Sequence, residues 1–438
     1  MTAGGRRSRP SSFSTAEEIV SNRARREQYS PALGWREQMI LFGRFADIVA
    51  ARAVTIAAMV RPGEVVALIM SDTPGAVSTT LAVWRASCTA APLDPRLPPE
   101  ELARRIAHSG CAAVIAHQEH VERAEEAIRA AGCDAILLVS RGLRLEAGGR
   151  PGRAGSRIGR GKAKLAALPR RRSAPAPAGS TGGLNDVAFH AYTGGAGEPL
   201  RAAVLTHANV VASALRVSVG RGDGPEDVAL ATHPIHDVGA FVADILSRLI
   251  SGGAVVLLGP ENVASLVHQI EQHRVTDVSL SSGLADQLVE GSGPPRRAIR
   301  SVRKVTIRDS ALSLTLKRGI ADRFPTAELI QSYGRVETTG GFLMARQGAV
   351  FRKPDTLGVP HPGLVVAILG DDGREERPGR RGEIVCRGAV VMRGYHGAPR
   401  ATRETLRDGW LRTGDLGYID SDGEISLVGG RGRGGARS

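Results

Sequence analysis

From residue 64 onward the chain repeats one figure: a short apolar run, a turn bearing Gly or Pro, then an Ala-rich stretch with helical spacing. Glu64-Val65-Val66-Ala67-Leu68-Ile69-Met70 follows the turn Arg61-Pro62-Gly63 and reads as a buried strand. A helical pattern covers 75–86. Pro98-Pro99-Glu100-Glu101 opens another helix, with Leu102 and Ile106 on one face and Gly110 as its stop. Strand, helix and strand follow at 112–116, 119–131 and 135–139. This alternation commits the chain to βαβ units around a mostly parallel sheet.

The figure stops at 141–183, a stretch of Gly, Arg, Ala, Pro and Ser without a sustained period. It reads as a basic linker or insertion, placed at 141–184. Eleven basic residues and one acid fall between 141 and 173, so this segment holds most of the formal charge of +14. The rest of the chain is nearly balanced. A basic protein invites a nucleic-acid or membrane-surface reading, but charge confined to a linker without interleaved aromatics weakens it.

The alternation resumes at 187. Strands are expected at 187–192, 228–232, 254–258, 275–280, 302–307 and 327–331, and helices at 207–219, 238–250, 264–273 and 311–324. From about 351 short β-prone runs separated by Gly and Pro take over, with Ser421-Asp422-Gly423 as a hairpin turn. The expected architecture is α/β: two layered βαβ subdomains at 36–140 and 185–345, and a small antiparallel, β-barrel-like subdomain at 346–429. A flexible tail is expected at 1–35 and a truncated hinge at 430–438. With 438 residues and 42% hydrophobic side chains, the chain can bury a substantial core.

No apolar run reaches the roughly 18 residues of a membrane span. The opening MTAGGRRSRPSSFS has arginines but no apolar stretch behind them, unlike a secretory signal. Cys88, Cys111, Cys133 and Cys386 are scattered without a CxxC pair, which supports neither a zinc site nor a disulfide framework. A reducing, cytoplasmic setting is the expectation.

Four loops carry candidate chemistry. In Tyr192-Thr193-Gly194-Gly195-Ala196-Gly197-Glu198-Pro199-Leu200-Arg201 a strand enters a Gly-rich loop with a cation at its far end, a pattern that lets backbone N–H groups approach phosphate oxygens. A glycine-rich turn between strands fits the same residues. His233-Pro234-Ile235-His236-Asp237 reads as metal ligands, as a helix N-cap at Asp237, or as a histidine beside an acyl pocket. Tyr333-Gly334-Arg335-Val336-Glu337 delivers an aromatic and a carboxylate at a strand end, suited to a base and to Mg²⁺. Thr413-Gly414-Asp415 puts an aspartate in a tight turn, facing either vicinal hydroxyls or its own backbone.

In order and spacing these loops resemble the adenylate-forming superfamily of acyl-CoA synthetases, fatty acyl-AMP ligases, peptide-synthetase adenylation domains and luciferases. The likeness runs over 36–431 apart from the basic linker. It also rests on Ala91-Pro92-Leu93-Asp94-Pro95, on Leu205-Thr206-His207-Ala208-Asn209, on Gly382–Arg387 with Gly388, and on Gly394-Tyr395 followed by Trp410 and Gly430-Arg431. The resemblance implies the large domain of an enzyme that joins a carboxylic acid to ATP, giving acyl-AMP and pyrophosphate. ATP/AMP and Mg²⁺ are then the expected ligands, with CoA or carrier pantetheine as acceptor. It further implies Thr193, Gly194, Gly195, Gly197 and Arg201 on the phosphates, Glu337 on Mg²⁺, and Tyr333 and Gly334 beside adenine. Asp415 falls to the ribose, Arg431 to the ribose or phosphate, and His236 to the carboxylate. His236, Arg201 and Glu337 are the expected catalytic set.

The chain departs from that pattern in three places. Gly194, Ala196 and Gly197 stand where the family has hydroxyl residues, each loss forgoing roughly 1.5–3 kcal/mol of hydrogen bonding to a charged group. Glu198 replaces a glycine, and a carboxylate about 4 Å from a phosphate costs on the order of 4 kcal/mol at an effective dielectric of 20. Val336 replaces Thr or Ser in the magnesium motif, and no Gly-Ala-Pro turn is found near Asp309-Ser310-Ala311. Finally, the family's mobile, lysine-bearing C-terminal domain is not among these residues. The expectation is therefore an adenylating domain impaired by itself, completed by a C-terminal domain or carrier protein in trans. The alternative is a degenerate homologue that binds nucleotide, acyl-adenylate or a partner without catalysis.

Overall fold

The computed structural model describes residues 15–149, 183–194, 199–258, 262–291, 299–308 and 313–430. Two large sheets organise them. The first has eight strands in the order Gly394–Tyr395, Arg201–Thr206, Val187–Thr193, Thr89–Leu93, Val65–Ile69, Ala113–His117, Ile136–Arg141, Arg144–Gly149. Its centre is parallel, and both edges are antiparallel. The strands Val65–Ile69 and Ala113–His117 carry Val, Ile and Leu at successive positions because both faces are covered.

The second sheet has fourteen strands. It is parallel from Pro31–Trp35 through Ala254–Leu257, Val228–Ala231, Asp277–Leu280, Lys304–Ile307 and Glu328–Arg335. It continues antiparallel through Gly340–Arg346, Thr356–Pro360, Ile425–Gly430, Trp410–Ile419, Gly382–Arg387 and Val365–Leu369. The β-rich C-terminal region is thus an extension of this sheet. The barrel-like subdomain expected from sequence is corrected accordingly: no closed barrel forms among the described residues. Its hairpin turn is where Gly423 puts it, at φ 79°, with Asp420 Oδ1 accepting from the backbone of Asp422 and Glu424.

Two further expectations are revised. Residues 15–35 are not a tail. Thr15 and Glu18 close a capping box on the helix Ala16–Arg26, which buries Ala16, Val20 and Ala24. Residues 141–149 are not linker either. They turn back as the strand Arg144–Gly149 against Ile136–Arg141. Buried Arg52, on the helix Phe42–Ala57, anchors this hairpin by donating to Ser140 Oγ at 3.1 Å and to Gly142 O at 2.9 Å. The remainder of the basic segment, 150–182, lies outside the described residues.

One core joins the two sheets. Trp84, Phe189, Phe241, Tyr333, Phe342 and Tyr395 belong to the same buried cluster, with Trp84 Nε1 donating to Ala188 O at 2.9 Å. The helix expected at 238–250 is broken. Val238–Ala240 leads into a π-helical turn, Phe241–Leu246, and then into Ser247–Ser251. Four cysteines are free, and no helix among the described residues is long and apolar enough to cross a membrane.

Candidate functional site

The carboxyl end of Glu328–Arg335 turns directly back into Gly340–Arg346. The turn is so tight that a Cβ on Gly334 would lie 1.9 Å from Gly340 O, so only glycine fits there. The 3₁₀ turn Val336–Thr338 is locked by Thr338, whose Oγ1 accepts from Arg335 N at 2.9 Å and donates to Gly340 O at 2.7 Å. Thr338 is therefore spent on the backbone, and Glu337 is presented beside Arg335 and Tyr333.

Three charged or phenolic partners converge on this motif from elsewhere in the chain. The Tyr333 hydroxyl donates to Asp415 Oδ2. Arg335 Nη1 donates to the same oxygen at 3.2 Å, and Arg335 Nε lies 3.6 Å from Glu337 Oε2. The Tyr395 hydroxyl donates to Glu337 Oε1 at 2.7 Å. Arg201, at the start of its strand, places its guanidinium over the Tyr395 ring, 5.4 Å from the centroid. An unbroken series of polar contacts thus runs Arg201, Tyr395, Glu337, Arg335, Asp415, Tyr333. Burial alone would lower Arg335, but Glu337 and Asp415 outweigh it and hold its pKa above the ordinary value. Burial, and then the adjoining carboxylate, push both phenols upward: Asp415 acts on Tyr333 and Glu337 on Tyr395. All three therefore keep their protons and act as donors around neutral pH.

Asp415 sits where Gly414 turns at φ 78°. Thr413 Oγ1 accepts from Asp415 N at 3.1 Å, and Glu383 Oε1 accepts from Gly414 N at 2.9 Å. The turn is held by those neighbours, leaving the Asp415 carboxylate to face Tyr333 and Arg335.

The Gly-rich segment follows the strand Val187–Thr193 of the first sheet. Thr193 pairs with Arg201 across the last rung of the ladder, and Gly194 turns at φ 86°. Arg105 reaches this corner from the helix Pro99–Ser109. Its guanidinium lies over the Tyr192 ring at 5.2 Å, with Nη2 3.4 Å from Gly194 O and Nε bonded to Glu101. Gly195 and Gly197 lie outside the described residues, as does Arg431.

His236 makes its contacts with other residues. Its Nε2 is 3.6 Å from Asp94 Oδ2, and Ile235 N donates to Asp72 Oδ1 at 2.6 Å. Burial lowers its pKa, against the pull of Asp94 and Asp72. A narrow recess lined by Leu68, Met70, Ala76, Thr80 and Pro92 adjoins it. His233 turns the opposite way, to Asp244 at 3.2 Å, so the two histidines do not share a ligand point. Asp237 caps the following helix by accepting from Ala240 N at 3.1 Å. Among the described residues no group of three or more His, Cys, Asp and Glu is placed for a metal ion.

Of the residues singled out from sequence, Tyr333, Gly334, Glu337, Asp415 and Arg201 come together in one network. Thr193 and Gly194 border it, and His236 stands apart from it. Arg335, Tyr395 and Arg105 belong to the site but were not singled out. Arg335 and Tyr395 lie inside quoted motifs; Arg105 gave no signal beyond one more arginine on a helix.

Comparisons with known proteins bear on the family and the fold. Residues 20–396 match the family model described as AMP-binding enzyme. A feruloyl-CoA synthase of Amycolatopsis sp is 30% identical over 375 residues, covering 85% of this chain and 69% of that protein. A sulfoacetate–CoA ligase of Cupriavidus necator is 27% identical over 97% of this chain and 79% of its own length. An inhibitor-bound N-terminal domain from Mycobacterium tuberculosis superimposes with a TM-score of 0.81 at 21% identity, covering 95% of this chain and all of that one. The O-succinylbenzoate coenzyme A synthetase of Bacillus subtilis, in complex with ATP and magnesium, gives 0.77 at 21% identity, over 94% of this chain and 79% of that one. With the family model spanning most of its length, this chain belongs to the AMP-binding enzyme family.

Proposed function

We propose that this chain is the adenylating part of an acid–thiol ligase. A carboxylate oxygen of the acid attacks the α-phosphorus of ATP, the bond to the β,γ-phosphates breaks, and acyl-AMP and pyrophosphate result. The single observation that carries this reading is the contact series from Arg201 to Tyr333. It sets a cation, a carboxylate and a second carboxylate along one cleft, in the order that triphosphate, metal and ribose require. In the proposed arrangement Thr193, Gly194, Gly195, Gly197 and Arg201 meet the phosphates. Asp415 takes ribose hydroxyls in exchange for its Tyr333 bond, Tyr333 and Gly334 flank the base, and Arg431 adds charge nearby. His236 lies toward the entering carboxylate.

Glu337 suits Mg²⁺, an ion commonly held by one or two carboxylates together with phosphate oxygens and water. Among the described residues Glu337 is a buried carboxylate outside any cluster of three or more such ligands, which fits that requirement better than a cage built wholly from protein. Mg²⁺ would supply charge neutralisation at the phosphates. The residues of the chain would position the reactants and stabilise developing charge. CoA or carrier pantetheine is the proposed acceptor, supported by the CoA-ligase names of the relatives.

Incubating the purified chain with ATP, Mg²⁺ and a panel of carboxylic acids, and following ATP–pyrophosphate exchange, tests this. Acid-dependent exchange is expected, slow because the loop lacks hydroxyls at 194, 196 and 197. A second reading, nucleotide binding without catalysis, is favoured by Glu198 in the phosphate loop. It predicts calorimetric binding of ATP–Mg²⁺ with no exchange for any acid.

A further inference from the structure

The turn that presents Glu337 is gripped from outside its own sheet. Met392 N donates to Glu337 O at 2.8 Å, and Thr339 Oγ1 donates to Val390 O at 2.7 Å. Both bonds fall on the segment that leads into the short strand Gly394–Tyr395. That segment is fastened in turn to the first sheet. Gly394 pairs with Val204 and Tyr395 with Ala203. Arg393 N donates to Val204 O at 2.9 Å, and His396 N donates to Ala202 O at 2.8 Å. On the other side Tyr395 N donates to Thr402 Oγ1 at 2.9 Å, on the helix Pro399–Thr405. The backbone of Tyr395 is therefore held independently of its phenol.

From that fixed point the side chain serves two charged groups. Its hydroxyl donates to Glu337 Oε1 at 2.7 Å, a full hydrogen bond between two buried residues, Tyr395 being 7% and Glu337 6% exposed. One carboxylate oxygen is thus taken by the phenol, and Oε2 is turned toward Arg335. The ring itself lies under the Arg201 guanidinium. Fold and orientation separate here. The backbone at Glu337 is kept by Met392 N and by the Thr338 bonds, and all of these survive loss of the phenol. What the hydroxyl adds is the direction in which the carboxylate points. A glutamate freed of it would have to be ordered when a ligand binds, at a cost in affinity.

We propose that Tyr395 is a positioning residue, which aims the Glu337 carboxylate for the metal ion and holds Arg201 at a set distance from it. One side chain then fixes the spacing between the metal ligand and the phosphate-binding cation. This rests on the adenylating reading given above. Hydrogen-bond partners of metal ligands typically contribute roughly 10–100-fold to metal affinity.

The test is titration calorimetry of ATP on the full chain, in excess Mg²⁺ and again in EDTA. The ratio of the two dissociation constants reads the metal's share of binding, which a loss of packing alone does not move. Tyr395→Phe keeps the ring under Arg201 and removes only the hydroxyl. The ratio is expected to fall about tenfold or more, with binding in EDTA little changed. Tyr395→Leu also removes the ring and should weaken binding in EDTA as well. An unchanged ratio in Tyr395→Phe overturns the proposal and leaves the adenylating reading standing. If the unaltered chain binds ATP equally with and without Mg²⁺, the metal role of Glu337 falls and this proposal with it, while acid-dependent exchange still decides the adenylating reading. Failure of the unaltered chain to bind ATP overturns both. Thr402→Val keeps the question open to test if the phenylalanine variant folds poorly. It takes the acceptor from Tyr395 N but leaves the phenol, so the ratio should fall by a smaller factor, about threefold. An unchanged ratio there counts equally against the proposal.

Discussion

The two walls of the cleft differ in how much of their chemistry is committed before any ligand arrives. On the Glu328–Arg335 side the side chains are already bonded: Tyr333 to Asp415, Arg335 to Asp415 and Glu337, Tyr395 to Glu337. On the Val187–Thr193 side the loop brings glycines, one threonine hydroxyl and a carboxylate, Glu198. The first wall is pre-organised, so a ligand that uses it exchanges existing hydrogen bonds at little cost in order. On the second, the described residues offer the Thr193 hydroxyl and Arg201, whose guanidinium lies over the Tyr395 ring. In a site that acts by positioning, the committed wall should carry most of the measurable effect of mutation.

The sharpest way to break that comparison is Glu337→Gln. If Glu337 holds the metal, acid-dependent ATP–pyrophosphate exchange falls about 100-fold or more, while the Tyr395 hydroxyl keeps an acceptor and the fold its melting temperature. An unchanged exchange rate would remove Glu337 from the site. Next comes Asp415→Ala, which leaves Tyr333 and Arg335 without their shared acceptor. Calorimetry with AMP should register a loss of about 1.5–3 kcal/mol, the range for a hydrogen bond to a charged group. Glu198→Gly tests the weaker wall from the opposite direction. Removing its carboxylate should tighten ATP–Mg²⁺ binding by about tenfold, since solvent screening trims the full Coulomb cost. No change there would show that Glu198 points away from the phosphates.

The smallest effect is on stability. His190, on the strand that leads into the loop, stacks on His396 at 4.3 Å, with His108 beyond it at 5.4 Å. Burial, then the neighbouring histidines, push His190 down to about 4. A histidine whose folded pKa lies below its unfolded value takes up more protons when unfolded. Its contribution is therefore full above about 6.5 and is lost as pH falls toward about 4. The free energy of unfolding, from denaturant titrations, should drop through that window by up to about 1.4 kcal/mol per pH unit from this one residue. His190→Phe should flatten that part of the curve. A slope unchanged by the substitution would assign it to other groups, such as His207 and His361, also held near 4 mainly by burial.

What could be read from the sequence follows from the range of the interactions. Strands such as Val65–Ile69 and Ala113–His117 announce themselves by local apolar runs, and Gly110, Gly132 and Gly423 mark their turns by a conformation that glycine adopts without strain. Thr89–Leu93 escaped because Pro92 sits inside a fully buried strand, where proline is rare. Phe42–Ala57 has helical apolar spacing, and Thr15 and Glu18 form a capping box, but both lie close to an Arg/Ser-rich opening whose composition reads as a tail. The site divides the same way. Tyr333, Glu337 and Asp415 stand in motifs with recognisable neighbours. Arg335 lies beside Glu337 locally, but its bond to Asp415 spans 80 residues, and that of Tyr395 to Glu337 spans 58. Nothing local to either residue records that meeting.

The short strand Gly394–Tyr395 joins the first sheet by pairing with Arg201–Thr206, while Gly382–Arg387 and Trp410–Ile419, its neighbours along the chain, are rungs of the second. Asn209 Nδ2 secures the crossing by donating to Ala389 O at 2.8 Å and Val391 O at 2.9 Å. The chain therefore stitches the two sheets together through the residue that holds Glu337. Displacing the segment between Gly382–Arg387 and Trp410–Ile419 would strip the edge strand from the first sheet and the Tyr395 bond from Glu337 together, so disorder in one wall is transmitted to the other.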